Sequence, residues 1–104
     1  MIGRMRPFQH PAAEDIALKD VLHALSDPIR LEIVCRLARE GQASCAALDG
    51  GRPKSSMSHH FRVLRAAGVV RTRAEGVTHM NALRREDLAL RFPGLLDAVI
   101  AACP

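Results

Sequence analysis

Within nine residues, Lys54-Ser55-Ser56-Met57-Ser58-His59-His60-Phe61-Arg62 brings together hydroxyl, imidazole, ammonium and guanidinium groups. On a helical wheel Met57, His60, Phe61 and Leu64 share one face, and Ser55, Ser58, His59 and Arg62 stand opposite. Short hydroxyls allow a close backbone approach and Lys54 and Arg62 add reach, which suits the base edges of a duplex major groove. Lys54, Ser55, Ser56, Ser58, His59 and Arg62 are therefore candidate contacts, with Arg62 the candidate for a guanine edge. Arg71 and Arg73 alternate along a strand-like run, so both project to one side and can meet phosphate or an adjacent minor groove. His60, on the Leu64 side, reads as a core histidine.

Cysteine and the remaining histidines offer a second kind of chemistry. Cys35 lies at the edge of an apolar helical sector with Arg39 one turn on, where a cation favours thiolate, and Cys103 closes a terminal apolar stripe. The alternative is that both serve as small apolar residues, and Cys45 reads as helix packing. Three cysteines are an odd number, and the opening segment has no apolar stretch for an export signal; reduced thiols in a cytoplasmic protein are expected. His10, His23 and His79 show no ligand spacing, so no metal site and no cofactor are expected.

These groups need elements to hold them. The 104 residues suffice for one domain, and 48% hydrophobic content with 25% charge describes a folding chain without a bilayer-spanning run. With no Trp or Tyr and three Phe, stacking platforms for single-stranded bases are missing. Met1 to Ala13, with Pro7 and Pro11, reads as a flexible arm, and 14–104 as the folded domain. Leu18, Val21, Leu22 and Leu25 recur at helical spacing. Asp27 and Pro28 then cap and open a second helix running to Gly41, in which Arg30 falls on the apolar half and is expected to pair with a carboxylate or cap carbonyls. Ser44 caps a short third helix, and Ser55 to Ala67, stopped by Gly68, forms the fourth. Residues 69–83 read as a two-stranded hairpin with Gly76 in its turn. Arg84 to Leu90 adds a helical turn or two, and Pro93 opens a last helix with Leu95, Leu96, Val99, Ile100 and Cys103 on one stripe.

Charge follows the same division. Between Gly50 and Arg85 eight basic residues face the single acid Glu75, a local balance of +7, while the whole chain carries only +4. Segregation of this kind is the footprint of a surface that meets a polyanion.

Helices followed by a polar-faced helix and a basic hairpin make a mainly α (α+β) winged helix-turn-helix of about five helices plus a two-stranded β-hairpin wing. Leu25-Ser26-Asp27-Pro28-Ile29-Arg30-Leu31, the run from Ser55 to Val70, and Arg73-Ala74-Glu75-Gly76 resemble the second helix, recognition helix and wing of the ArsR/SmtB family of bacterial repressors. The resemblance implies a homodimer built through the first and last helices, with Leu18, Val21, Leu22, Leu95, Leu96, Val99 and Ile100 as its contacts. It further implies a near-palindromic double-stranded DNA operator and release by a chemical signal, an inducer or oxidant the residues do not specify. Cys35 and Cys103 resemble the pair of the family's sulfur- and oxidant-responsive members, so a thiol-switched repressor is an alternative. A winged-helix module that binds protein without DNA is a third reading, and no catalytic constellation points to an enzyme.

Overall fold

The computed structural model describes residues 8–104, so residues 1–7 of the expected arm lie outside the described residues. A short 3-10 turn at Ala13–Asp15 precedes α1 (Leu18–Leu25) and α2 (Pro28–Glu40). Asp27 starts α2 as the spacing predicts: its carboxylate accepts the Ile29 and Arg30 backbone N–H groups at 2.9 and 3.0 Å. These bonds hold the Asp27 carboxyl below its ordinary range, the Arg30 N–H contributing most. Arg30 caps α1 from inside, its Nε donating to the Ala24 carbonyl at 2.7 Å and its Nη2 to that of His23 at 3.3 Å. An arginine on an apolar face is thereby satisfied without leaving the core.

After α2 come β1 (Gln42–Ser44), α3 (Cys45–Leu48), α4 (Lys54–Ala66), β2 (Val70–Glu75), β3 (Thr78–Leu83), α5 (Arg85–Arg91) and α6 (Leu95–Ala101). There are thus six α-helices among the described residues, and the hairpin is joined by a third strand. In the antiparallel order β1-β3-β2, Ala43 pairs with Asn81 and Thr72 pairs with Asn81 from the other side. The Asn81 side chain, fully buried, holds the three strands together: its Oδ1 accepts from Thr72 Oγ1 at 2.6 Å and its Nδ2 donates to the Ala43 carbonyl at 3.3 Å. A buried polar network thus anchors β3 to both of its neighbours.

The core runs through all the larger elements, with Ile33, Val34 and Leu37 of α2 against Met57, Phe61 and Leu64 of α4 and against Val69, Val70 and Leu88. Two of the expected dimer contacts belong to this core. Val21 is 1% exposed and Leu96 7%, so neither has surface left for a second chain; each sits on the inner half of its apolar stripe. Leu18 and Leu22, at 46% and 50% exposure, occupy the outer half of α1.

The cysteines also depart from expectation. Cys35 and Cys103, 68 residues apart, form a disulfide that ties the end of α6 to α2, and Cys45 is the free cysteine. The expectation of three reduced thiols, and of a thiolate at Cys35 beside Arg39, is corrected accordingly. An odd count leaves open which two sulfurs meet, and here α6 folds back across α2 and brings them together. The cross-link is accounted for by the fold itself, so it gives the redox-switched alternative no preference.

Candidate nucleic-acid interface

Helix α4 is built by the periodicity of its own sequence. Met57, Phe61 and Leu64 are buried, with His60 and Val63 partly buried beside them, and Ser58, His59 and Arg62 face outward. Lys54, Ser55, Ser56, Ser58, His59 and Arg62 are all exposed, so the face singled out for base contacts is uncovered by the described chain. Ser56 alone among them is turned back to the backbone, its Oγ donating to the Pro53 carbonyl at 3.0 Å. His60 lies on the inner side as expected, its Nδ1 accepting from Arg30 Nη1 at 3.2 Å. The α4 surface is therefore referenced, through His60 and Arg30, to the end of α1.

The wing stands beside it. Arg71 and Arg73 are both exposed on β2, with Thr72 between them buried, as strand alternation requires. Neither is idle: Arg71 lies 3.5 Å from the Asp87 carboxylate, and Arg73 pairs with Glu75 at 2.7 Å and donates to Gln42 Oε1 at 2.8 Å. Exposed pairs of this kind contribute under about 1 kcal/mol, so an incoming phosphate can displace them.

Between α4 and the wing lies a groove of about 460 Å³. Lys54, Ser58, Arg62 and Arg65 line it from α4, and Thr78 and His79 from β3. Burial first, and then the neighbouring Arg62 charge, lowers the Arg65 guanidinium from its ordinary value, while Cys45 acts in the opposite sense. The groove is lined by three cations, Lys54, Arg62 and Arg65, and by one anion, Asp49. Arg65, Thr78 and His79 were not among the residues expected at the site; only the folding of the hairpin toward α4 places them there. Val77, fully exposed at the wing's turn, is a further residue that spacing alone does not mark. Among the described residues no three His, Cys, Asp or Glu side chains converge into a metal site.

Residues 25–73 match a family model described as a helix-turn-helix domain. An HTH-type transcriptional regulator of Bacillus subtilis, YceK, is 30% identical over 90 residues, which cover 84% of this chain and 90% of that protein. A solved ArsR family transcriptional regulator superposes with a TM-score of 0.66 at 26% identity, covering 78% of this chain and 90% of the other. The chain belongs to the ArsR family of winged helix-turn-helix transcriptional regulators. The ArsR-type fold is also that of the transcriptional repressor BigR of Xylella fastidiosa, at a TM-score of 0.63 and 28% identity over 84% of this chain and 87% of BigR. A shorter stretch of this ArsR-family chain is 37% identical over 59 residues to an HTH-type regulator of Methanocaldococcus jannaschii, covering 55% of the chain and 66% of that relative. In this family setting α4 is the recognition helix and the β2–β3 hairpin is the wing. No helix of the described residues is long and apolar enough to cross a membrane.

Proposed function

We propose that this ArsR-family regulator is a dimeric repressor, a binding protein rather than an enzyme, that reads a near-palindromic operator through α4 and steadies itself on phosphate through the wing. The observation that carries the reading is the uncovered polar face of α4, from Lys54 to Arg62, beside a groove with cations on its rim. Cations at that position supply affinity through released counterions, and base-edge contacts supply selectivity. The likeness to BigR, named a transcriptional repressor, supports repression as the mode. Anisotropy titrations of the protein against duplex from its own upstream region should show saturable binding that a random duplex matches only weakly. Equal affinity for both duplexes would remove the base-reading role of α4, and no affinity for either would return the chain to the protein-binding reading.

Support for the dimer comes from what the protomer leaves open. Leu18 and Leu22 on α1 are large aliphatic side chains about half exposed, and Leu95, Val99 and Ile100 on α6 are half-buried. A second copy would cover these outer faces by two-fold symmetry. Leu22→Glu is expected to convert the protein to a monomer in sedimentation and to weaken operator binding while the fold persists, because the side chain lies outside the core. An unchanged sedimentation coefficient would move the interface elsewhere.

Arg73→Ala should weaken operator and random duplex to a similar degree and flatten the dependence of log affinity on log salt by about one unit. The loss of the Glu75 pair is minor, since it is exposed. If the slope of the Arg73→Ala protein equals that of the unaltered one, the wing arginine makes no phosphate contact.

A further inference from the structure

Residues 8–11, just before the first turn, lie on the wing rather than away from it. His10 Nε2 accepts the backbone N–H of Thr72 at 3.0 Å. Thr72 belongs to β2, which is an edge strand in the order β1-β3-β2, so this N–H has no strand partner on its outer side and the imidazole takes that place. Two residues earlier, the Phe8 ring sits 4.8 Å from the Arg65 guanidinium carbon and meets the His79 ring edge-on, with centroids 4.8 Å apart. One residue later, the Pro11 carbonyl accepts from Arg84 Nη1 at 2.8 Å. Three of four consecutive residues, Phe8, His10 and Pro11, thus touch α4, β2, β3 and the entry to α5, and Phe8 does so on the wall of the groove between α4 and the wing.

We propose that Phe8 to Pro11 is a clamp that fixes the wing against α4 for DNA binding, with His10 as its proton-sensitive positioning residue. The inference rests on the DNA-binding reading above, but the clamp itself can be observed without DNA. Protonation would remove the lone pair that receives the Thr72 N–H. It would also place a positive charge among Arg71 of β2, Arg84 before α5 and Arg65 of α4; Asp87 of α5 is already paired with Arg71 and Arg84, and His79 of β3 lies against Phe8. Burial foremost, and then Arg71, Arg84 and Arg65, hold the docked imidazole below its ordinary value. The sign follows. A group whose value is depressed on docking leaves the docked state at full strength above the free value of about 6.5 and weakens it as pH falls below that value toward the docked one.

The test compares His10→Ala and His10→Gln with the unaltered protein, by anisotropy on operator duplex and by hydrogen exchange at the Thr72 amide. Glutamine keeps an acceptor near the Nε2 position and does not titrate. At about pH 7.5, His10→Ala should bind about fivefold more weakly with an unchanged salt slope, the loss of one net hydrogen bond and no phosphate contact, and His10→Gln should bind as the unaltered protein does. Lowering the pH to about 5.5 should cost the unaltered protein about the same factor relative to His10→Gln, a comparison that cancels every pH effect not arising at His10. Without DNA, Thr72 should exchange faster in His10→Ala, and in the unaltered protein its protection relative to His10→Gln should fall at the lower pH. Parallel pH profiles for the unaltered and His10→Gln proteins, or Thr72 protection indifferent to His10→Ala, would overturn the clamp. A Thr72 amide that responds as expected while no variant binds any duplex would instead overturn the DNA-binding reading, and with it the positioning role.

Discussion

Replacement of Arg62 by alanine is expected to weaken operator binding by about 1–3 kcal/mol, about 5-fold to 150-fold, and to relax sequence preference. The guanidinium stands on the exposed face of α4, two turns in from Lys54, and among the described residues it has no ion-pair partner holding it back. That distinguishes it from Arg71 and Arg73, which are held by Asp87 and Glu75, and from Arg65, which is half-buried over Phe8. A planar fork with this freedom can meet the two acceptors of a guanine edge together. Arg62→Lys keeps the charge and loses the fork, so it should recover the electrostatic part of the affinity but not the selectivity. The ratio of operator to random-duplex affinity is the decisive measurement. A ratio unchanged in Arg62→Ala would assign the residue to phosphate and transfer base reading to Lys54, Ser55, Ser58 or His59.

The recognition helix was legible because its polar and apolar positions separate at helical period. Met57, Phe61 and Leu64 bury one side, and Gly68 stops the run, so the helix keeps its expected length and only its two ends each lie one residue earlier, at Lys54 and Ala66. The third strand was not legible for the opposite reason. Gln42–Ser44 spans three residues with one buried position, and it is a strand only because Met80, Asn81 and Ala82 of β3 lie alongside it. Period also assigns residues to a stripe without saying which edge of the stripe meets the protomer's own core. Val21 and Leu96 turned inward while Leu18 and Leu22 stayed out. Contacts between distant segments leave no local trace at all: the Cys35–Cys103 bond joins residues 68 apart, and the His10 to Thr72 bond joins residues 62 apart. The exposed polar face of α4 could therefore be read from one helix, whereas the contacts that steady that helix could not.

Gly68→Ala should destabilise the fold by about 2–5 kcal/mol, the largest effect expected of a single methyl in this chain. Two separate costs meet at this residue. Its φ of +85° is one that a residue with a Cβ adopts at about 1–2 kcal/mol. The added Cβ would also fall 2.5 and 2.6 Å from Cγ1 and Cδ1 of Ile16, a side chain only 1% exposed and packed in the core, where overpacking costs about 1–3 kcal/mol. Gly41 separates the two, because its φ is +84° but nothing lies within 4 Å of its Cβ position. Gly41→Ala should therefore show the conformational cost alone, and the difference between the two variants in urea unfolding isolates the collision. Ile16→Val, which removes the Cδ1 methyl, should cost less in the Gly68→Ala background than in the unaltered protein. Equal destabilisation by Gly41→Ala and Gly68→Ala would show that Ile16 yields without penalty. If the collision is real, relief at Ile16 must move the end of α4, because Gly68 and Val69 close that helix through N–H bonds to the Arg65 and Leu64 carbonyls at 3.0 Å. The same substitution should then weaken operator binding even where the protein remains folded, since the face proposed to read bases is carried on the helix that is displaced.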